Sequence, residues 1–169
     1  MAEWDIAMRI HLLRHGIAEE GFGKRDSDRA LTGEGKRKLH ELLQAAANSG
    51  VAPTLVISSP FRRAIETARV AIDVLGYKGP LLESEFLTPD CSPQSAWNDI
   101  RIHASEESVL LVGHEPLFSA LSAFLLGYLN LSIDFKKGAM LCVDVHIVRP
   151  QPVGVLKWFL SPKFTIPES

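Results

Sequence analysis

The chain has 169 residues, of which 46% are hydrophobic and 22% are charged. This length fits one domain with a substantial core, and the composition excludes a disordered or low-complexity chain. The 18 basic and 20 acidic residues give a formal net charge of −2, so the chain lacks the basic excess on which nonspecific nucleic-acid binding depends. We therefore expect a single domain over residues 1–169 that has no nucleic-acid partner.

Cysteine usage and the N-terminal segment indicate a reducing compartment. Cys91 and Cys142 are far apart and form no closely spaced pair of the kind that holds zinc, so neither a disulfide scaffold nor a structural zinc site is expected. The segment before Arg9 carries acidic residues where a secretory signal has a basic region. The simplest expectation is a cytoplasmic protein.

In the first half of the chain, each of two predicted strands is followed by a helix. Residues 9–13 form the first strand, and Thr32 is a good N-cap for a helix that ends at a glycine near residue 50. Residues 55–57 form the second strand. A helix over 60–76 should follow, because proline suits a first helical turn and glycine a helix end.

The second half contains a weaker helical pattern over 92–104 and a fully apolar strand over 109–112. The uncharged stretch 116–133 approaches membrane-spanning length, but small and polar residues interrupt it, and its large apolar residues repeat at helical spacing. We interpret it as a buried helix that runs into a loop, and expect no membrane association. Residues 139–147 alternate like a half-buried strand, which turns back into a last strand over 155–160.

Apolar strands separated by helices predict an α/β fold, a three-layer sandwich whose central sheet is mostly parallel, with helices on both faces and an antiparallel edge strand. In such sheets the ligand site lies beyond the carboxyl ends of the strands. The residues that follow the three apolar strands are Arg14, His15 and Gly16; Ser59, Arg62 and Arg63; and Gly113, His114 and Glu115. Two imidazoles and three guanidiniums should therefore meet at one edge of the sheet.

These side chains suit a phosphoryl group. Arginine keeps its charge and offers a planar set of donors that matches phosphate oxygens, while histidine can act as nucleophile or donor near neutral pH. A single histidine is most often structural, and we assign that role to His11, His40, His103 and His146. The matched positions of His15 and His114 after separate strands favour a functional role for both.

The chain lacks the other common phosphate-handling motifs. A P-loop needs a lysine after its second glycine, but the run from Gly16 to Gly21 is followed by Phe22. Neither cysteine has the downstream arginine of a thiolate phosphatase. Asp26 and Asp28 have the spacing of an aspartyl phosphatase but do not follow an apolar strand, and no G-x-S-x-G motif is present. Arginines at the strand ends would repel cations, so we expect no metal site and no cofactor.

Four motifs together resemble the histidine phosphatase superfamily. In the order of that family they are Leu13-Arg14-His15-Gly16; Asp26-x-x-Arg29-x-Leu31-Thr32-x-x-Gly35; Ser59-Pro60-Phe61-Arg62-Arg63-Ala64 with Thr67; and Val112-Gly113-His114-Glu115-Pro116. The resemblance spans residue 9 to about residue 140. The small size, the absence of long lid insertions and the segment 86–89 are most similar to the SixA-type phosphohistidine phosphatases.

The resemblance implies a role for each matching residue. His15 would be the nucleophile that becomes transiently phosphorylated, Arg14 and Arg63 would clamp the phosphoryl oxygens, and His114 would donate to the same group. The remaining residues expected near substrate are Gly16 and Arg62, the latter as an extra cation at the rim. Many superfamily members also have a glutamate general acid in the loop before the His114 strand, where this chain offers two candidates, Glu85 and Asp90.

The uncertain identity of the general acid affects which substrate is expected. An alkoxide leaving group needs a strong, well-placed acid, whereas the imidazole released from phosphohistidine has a pKa of about 6.5 and needs less help. We therefore expect a phosphorylated protein of the histidine-phosphotransfer type as substrate, in signal transduction. A small phosphorylated metabolite is the alternative, and a non-catalytic phosphate-binding domain is a second alternative.

Overall fold

A computed structural model describes residues 7–165 of the chain. Within this range the strands and helices are, in order, β1 (Met8–Arg14), α1 (Gly33–Asn48), β2 (Leu55–Ser58), α2 (Arg62–Leu75), β3 (Leu81–Glu83), α3 (Pro93–Ile100), β4 (Ser108–Gly113), α4 (Leu117–Leu125), β5 (Met140–Ile147), β6 (Val153–Leu160) and α5 (Pro162–Thr165). The first six residues, on which the expectation about secretion rests, lie outside the described range.

The strands form one sheet in the order β3-β2-β4-β1-β5-β6. The first four strands in this order run parallel to their neighbours, whereas β5 is antiparallel to β1, and β6 is antiparallel to β5. The predicted α/β fold with a mostly parallel sheet and an antiparallel edge is confirmed. The antiparallel part is a hairpin of two long strands.

Helices cover both faces of the sheet. Because successive strand residues point to opposite faces, neighbouring residues of β1 belong to different clusters of buried side chains. Leu13 shares a cluster with Leu39 of α1 and Ala68 of α2, and Leu12 shares the other with Trp97 of α3 and with α4. This arrangement holds the carboxyl ends of β1, β2 and β4 side by side.

The start of α1 is fixed close to the end of β1. The Thr32 side chain accepts a hydrogen bond from the Gly35 backbone N–H at 3.0 Å, as expected for an N-cap. The Thr32 hydroxyl also donates to the Ile17 carbonyl at 3.2 Å. A Cβ on Gly35 would collide with that carbonyl, so glycine is required for this close approach. The loop after β1 therefore packs directly against the helix.

Three predicted elements need correction. Helix α2 begins at Arg62 rather than at Pro60, because the Ser59 N–H still bonds to the Val112 carbonyl at 2.9 Å and extends the sheet. The single helix over 92–104 is α3 followed by a separate 3₁₀ turn over Arg101–His103. Strand β5 is buried on both faces up to Val145, not half-buried: on the second face Met140 joins the cluster that contains α1 and α2, and Asp144 is paired with Arg9.

The apolar stretch after residue 116 forms the short buried helix α4 and then a loop, as predicted. Within residues 7–165, no helix combines the length and the apolar character needed to cross a membrane. Strand β3 is an element that the sequence pattern did not reveal, since it has only three residues.

Candidate active site

Four of the predicted residues come together at the carboxyl end of the sheet. Arg14 ends β1 and His15 follows it, Arg63 lies in the first turn of α2, and His114 follows β4. The two imidazole rings have centroids 5.1 Å apart, and Arg63 Nε is 3.2 Å from His15 Nε2. We refer to Arg14, His15, Arg63 and His114 as the histidine–arginine cluster.

His15 presents an unprotonated nitrogen to this cluster. Its Nδ1 is 2.7 Å from the Gly16 carbonyl oxygen, which can only accept, so Nδ1 carries the proton and Nε2 has the lone pair. Arg63 Nε–H donates to that lone pair. Burial, supported by the charges of Arg63 and Arg14, lowers the pKa of His15 to about 3 against the raising effect of the Gly16 carbonyl. The ring is therefore neutral at physiological pH and can act as a nucleophile.

Arg63 is held by the loop that follows β1. Its NH1 donates to the Asp26 carbonyl oxygen at 2.6 Å and its NH2 to the Asp26 carboxylate at 2.9 Å, while the guanidinium lies 5.1 Å from the centroid of the Phe61 ring. Asp26 also accepts a hydrogen bond from Arg29 at 2.8 Å. Sequence reasoning assigned no role to Asp26, although the residue stands in one of the four motifs. The structure shows that it orients Arg63.

Arg14 keeps part of its guanidinium free. Its NH1 donates to the Phe135 carbonyl at 2.6 Å, but its Nε is buried and has no hydrogen-bond partner. The negative charge of Glu115 acts on Arg14 through space, although both Glu115 oxygens accept hydrogen bonds from Ser119, at 2.7 and 2.6 Å. Arg14 is thus stabilised by a backbone dipole and a distant charge, and its own charge stays available.

His114 follows β4, and its ring lies beside that of His15. Its Nε2 is 2.8 Å from Ser59 Oγ, and the Phe61 ring packs edge-on against it with centroids 5.1 Å apart. Its Nδ1 is buried and has no partner. Burial and the neighbouring His15 and Arg63 lower the pKa of His114 to about 2. Across residues 7–165, the buried side-chain polar atoms without a partner are Arg14 Nε and His114 Nδ1, and both belong to the histidine–arginine cluster.

Comparisons with known proteins agree with this geometry. Residues 10–87 match the model of the histidine phosphatase superfamily, branch 1. The structure of the protein histidine phosphatase SixA complexed with tungstate has a TM-score of 0.83 and 26% identity, covering 93% of this chain and 99% of that one. The chain is therefore similar to the histidine phosphatase superfamily over residues 10–87, and to a SixA-type protein over almost its whole length. The predicted resemblance to this family and to its SixA-type members is confirmed.

Two further similar proteins were found. An uncharacterized protein from Picosynechococcus sp. is 27% identical over 165 residues, covering 95% of this chain and all of the relative. The structure of a mycobacterial glucosyl-3-phosphoglycerate phosphatase complexed with VO3 has a TM-score of 0.70 and 20% identity, covering 91% of this chain and 100% of that one. At this identity, the second likeness shows a shared fold.

Thr67 and Gly16 hold the loop that carries His15 in place. The Thr67 hydroxyl accepts a hydrogen bond from the Gly16 N–H at 3.1 Å and donates to the Arg63 carbonyl at 2.7 Å. A Cβ on Gly16 would lie 2.6 Å from Leu39 Cδ1, so a larger residue would push the loop away from α1. These contacts connect the His15 loop with the first turn of α2.

Arg62 lies outside the cluster. Its Nε donates to the Glu66 carboxylate at 3.1 Å on the exposed side of α2. The other Glu66 oxygen accepts a hydrogen bond from the Leu31 N–H at 2.7 Å. Arg62 thus forms an ion pair that supports the loop before α1, and its part in substrate binding stays a prediction.

The two candidate acids are exposed and do not touch the cluster. Glu85 begins a 3₁₀ turn over Glu85–Leu87, which borders the site because the Ser84 N–H bonds to the Ser58 carbonyl at 2.9 Å. Asp90 lies farther along the same loop. Among the hydrogen bonds of the described residues, none joins either carboxylate to the cluster. Within the same residues, no group of three or more His, Cys, Asp or Glu side chains is placed to hold a metal ion.

Proposed function

We propose that this histidine phosphatase removes the phosphoryl group from phosphohistidine on another protein, through a covalent intermediate at His15. One observation carries the proposal. The lone pair of His15 Nε2 faces a cluster in which Arg14 Nε and His114 Nδ1 are buried without a partner. Buried polar atoms are normally satisfied within a protein, so two unsatisfied nitrogens beside His15 support a site for the oxygens of a phosphoryl group.

In the first step, His15 Nε2 forms a bond to phosphorus while the bond from phosphorus to the substrate nitrogen breaks. The electron pair of the broken bond stays on the departing ring, and one proton taken up from solvent makes that ring a neutral imidazole. The His15 ring gains positive charge as the new bond forms. Because Nδ1–H donates to the Gly16 carbonyl, this hydrogen bond strengthens as the charge develops.

In the second step, a water oxygen attacks phosphorus and the bond to His15 Nε2 breaks. The electron pair returns to Nε2, inorganic phosphate leaves, and the protons of the water are shared between phosphate and solvent. Arg14, Arg63 and His114 neutralise the charge of the transferring group in both steps. These steps require no metal ion or cofactor.

The exposed acids favour phosphohistidine over an alcohol ester. Within residues 7–165, no hydrogen bond or ion pair holds the Glu85 or Asp90 carboxylate at a leaving group, and an imidazole is a much better leaving group than an alkoxide. The similarity to a protein histidine phosphatase at 26% identity supports the same substrate class. The alternative is a small phosphorylated metabolite, because a phosphatase that acts on glucosyl-3-phosphoglycerate shares the fold.

The test compares single-turnover rates on a phosphohistidine protein and on an alkyl phosphate. We expect faster hydrolysis of the protein. Glu85→Gln and Asp90→Asn, singly and together, should slow that reaction by less than about tenfold, while any alkyl phosphatase activity should fall by about 10²–10⁴, as for a lost general acid.

Three outcomes would contradict the proposal. A large and equal loss on both substrates would identify a dedicated acid and favour the metabolite. Phosphate binding without turnover on any substrate would favour the non-catalytic alternative. Activity that vanished with EDTA and returned with Mg²⁺ or Mn²⁺ would contradict the metal-independent mechanism.

A further inference from the structure

We infer that Ser59 is a positioning residue, which fixes the tautomer of His114 so that Nδ1–H is the donor presented to the phosphoryl group. The inference rests on the proposed function for its catalytic consequence, but the tautomer can be measured without turnover. It assigns a task to a serine that makes no contact with His15, Arg14 or Arg63 in the hydrogen-bond network of the described residues.

The Ser59 side chain is rigidly placed. It is fully buried, and its backbone N–H bonds to the Val112 carbonyl at 2.9 Å, two residues before His114. The Ser59 carbonyl accepts a hydrogen bond from the Ser58 hydroxyl at 2.9 Å. Its own Oγ accepts one from the Phe61 N–H at 3.3 Å and lies 2.8 Å from His114 Nε2. Backbone contacts on both sides therefore determine where the hydroxyl points.

Counting protons gives the direction of the Ser59–His114 hydrogen bond. A serine hydroxyl has one proton to donate, and a neutral imidazole has one N–H and one lone pair. If Ser59 donates to Nε2, its proton is used and the ring proton lies on Nδ1. If Nε2–H donates instead, the buried Ser59 proton has no other acceptor among the described residues, and the bare Nδ1 lone pair faces the phosphoryl site.

The second arrangement would bring the Nδ1 lone pair against the negatively charged oxygens of the phosphoryl group. A lone pair on Nδ1 would repel the phosphoryl oxygens, whereas Nδ1–H would bind them. The choice between tautomers matters only because the His114 ring is neutral, which its burial and the nearby arginines ensure. With the hydroxyl of Ser59 as donor, each polar atom of the pair is satisfied except the Nδ1–H that points to the substrate.

The direct test is nuclear magnetic resonance of the histidine ring nitrogens at neutral pH in phosphate-free buffer. Long-range ¹H–¹⁵N correlations distinguish a protonated from an unprotonated ring nitrogen, and His114→Gln identifies the His114 signals. We expect a protonated Nδ1 in the wild-type protein and a mixture of tautomers in Ser59→Ala. A protonated Nε2 in the wild type would overturn the inference, and so would an unchanged spectrum in Ser59→Ala.

Two variants isolate the hydroxyl group. Ser58→Ala is the matched control, because Ser58 is equally buried and loses one hydrogen bond that does not involve His114. Ser59→Thr retains the hydroxyl and should keep the wild-type tautomer. Ser59→Ala should lower kcat by about 10- to 100-fold, less than complete loss of an oxyanion donor, with a smaller change in KM. An equal loss in Ser58→Ala would indicate a merely structural role.

Binding of tungstate, an oxyanion that does not turn over, separates this inference from the proposed function. We expect Ser59→Ala to weaken tungstate binding about tenfold or more, in line with a lost charge-assisted hydrogen bond. If the wild-type protein shows Nδ1–H and binds tungstate but hydrolyses no phosphohistidine, the proposed function fails while the role of Ser59 stands. Tungstate affinity that is the same in Ser59→Ala and the wild type would contradict the role of Ser59.

Discussion

An arginine and a histidine lie close to each end of strand β1, and the surroundings of the two pairs differ. At the amino end, Arg9 donates to both oxygens of the buried Asp144 carboxylate, at 2.6 and 2.8 Å. His11 packs against Trp158, with ring centroids 5.5 Å apart. At the carboxyl end, Arg14 is opposed by a backbone carbonyl at 2.6 Å and retains an unpartnered Nε.

The two ends of β1 differ in the group that faces the arginine. A bidentate carboxylate neutralises Arg9, whereas the dipole that meets Arg14 leaves its charge available for an anion. The histidines are less informative, because burial lowers the pKa of His11 to about 4 and that of His15 to about 3. A depressed histidine pKa therefore occurs at both ends, and what distinguishes the candidate site is the unneutralised charge of Arg14 beside the unprotonated Nε2 of His15.

The strongest test of this comparison is to remove one histidine from each end. His15→Ala should abolish turnover, with a loss on the order of 10⁴-fold or more, because covalent catalysis loses its first step. His11→Gln should leave kcat close to the wild-type value. Rapid-quench experiments with ³²P-labelled phosphohistidine protein would measure both rates and should trap a phosphoenzyme in the wild type. Substantial turnover by His15→Ala would refute the mechanism.

Removing the arginines should have the next largest effect. Arg14→Gln or Arg63→Gln should lower kcat/KM by about 10²–10³, as for a lost oxyanion donor, and both should weaken inhibition by vanadate or tungstate. Steady-state kinetics with each inhibitor would measure this. Arg62→Ala is the matched control on the adjacent residue, and a much smaller loss is expected because its side chain pairs with Glu66.

Arg9→Gln provides the control at the amino end of β1. It should leave kcat/KM near the wild-type value but lower the free energy of unfolding by about 3 kcal/mol, because it leaves the Asp144 charge without its main partner. Urea denaturation would measure this difference. If Arg9→Gln and Arg14→Gln lost the same amount of activity, the contrast between the two ends would be wrong.

The last prediction concerns stability rather than activity: the free energy of unfolding should depend on pH. Burial holds the pKa of His11 at about 4, of His15 at about 3 and of His114 at about 2, all below the ordinary value of 6.5. The unfolded chain therefore binds more protons at these residues between pH 6.5 and the folded pKa values. The free energy of unfolding should fall as the pH drops below about 6.5, with a slope near pH 5 of about 4 kcal/mol per pH unit for three protons.

This slope can be measured by urea denaturation at several pH values in phosphate-free buffer. His11→Gln should lower this slope by about a third, because one of the three buried histidines that take up a proton on unfolding is removed. A stability that does not change between pH 6 and pH 5 would contradict the neutral, buried state of these rings.

The main features of the site follow from short-range sequence patterns. Apolar runs identify β1, β2 and β4, and the parallel arrangement then brings Arg14, His15 and His114 to one edge of the sheet. Arg63 could be placed for the same reason, since it begins the helix after β2. These predictions succeed because hydrophobic periodicity determines where each strand ends.

Contacts between distant loops were not predictable in this way. Asp26 reaches Arg63 across 37 positions from a loop without periodic pattern. The alternating pattern of its strand predicts that Asp144 faces solvent. In the structure Asp144 is only 1% exposed, and its pairing with Arg9 explains this burial. The Ser59–His114 hydrogen bond depends on side-chain direction, which residue spacing does not specify.

The Thr67 hydroxyl, which joins the Gly16 N–H to the Arg63 carbonyl, has a consequence for how new specificities arise. It links the segment that carries His15, the proposed nucleophile, to the segment that carries Arg63, so a shift of one segment strains its link to the other. Adaptation to a differently shaped substrate must then come from the exposed loops over 19–29 and 84–90, which surround this fixed centre. Evolution can vary what is recognised while the reacting atoms keep their geometry.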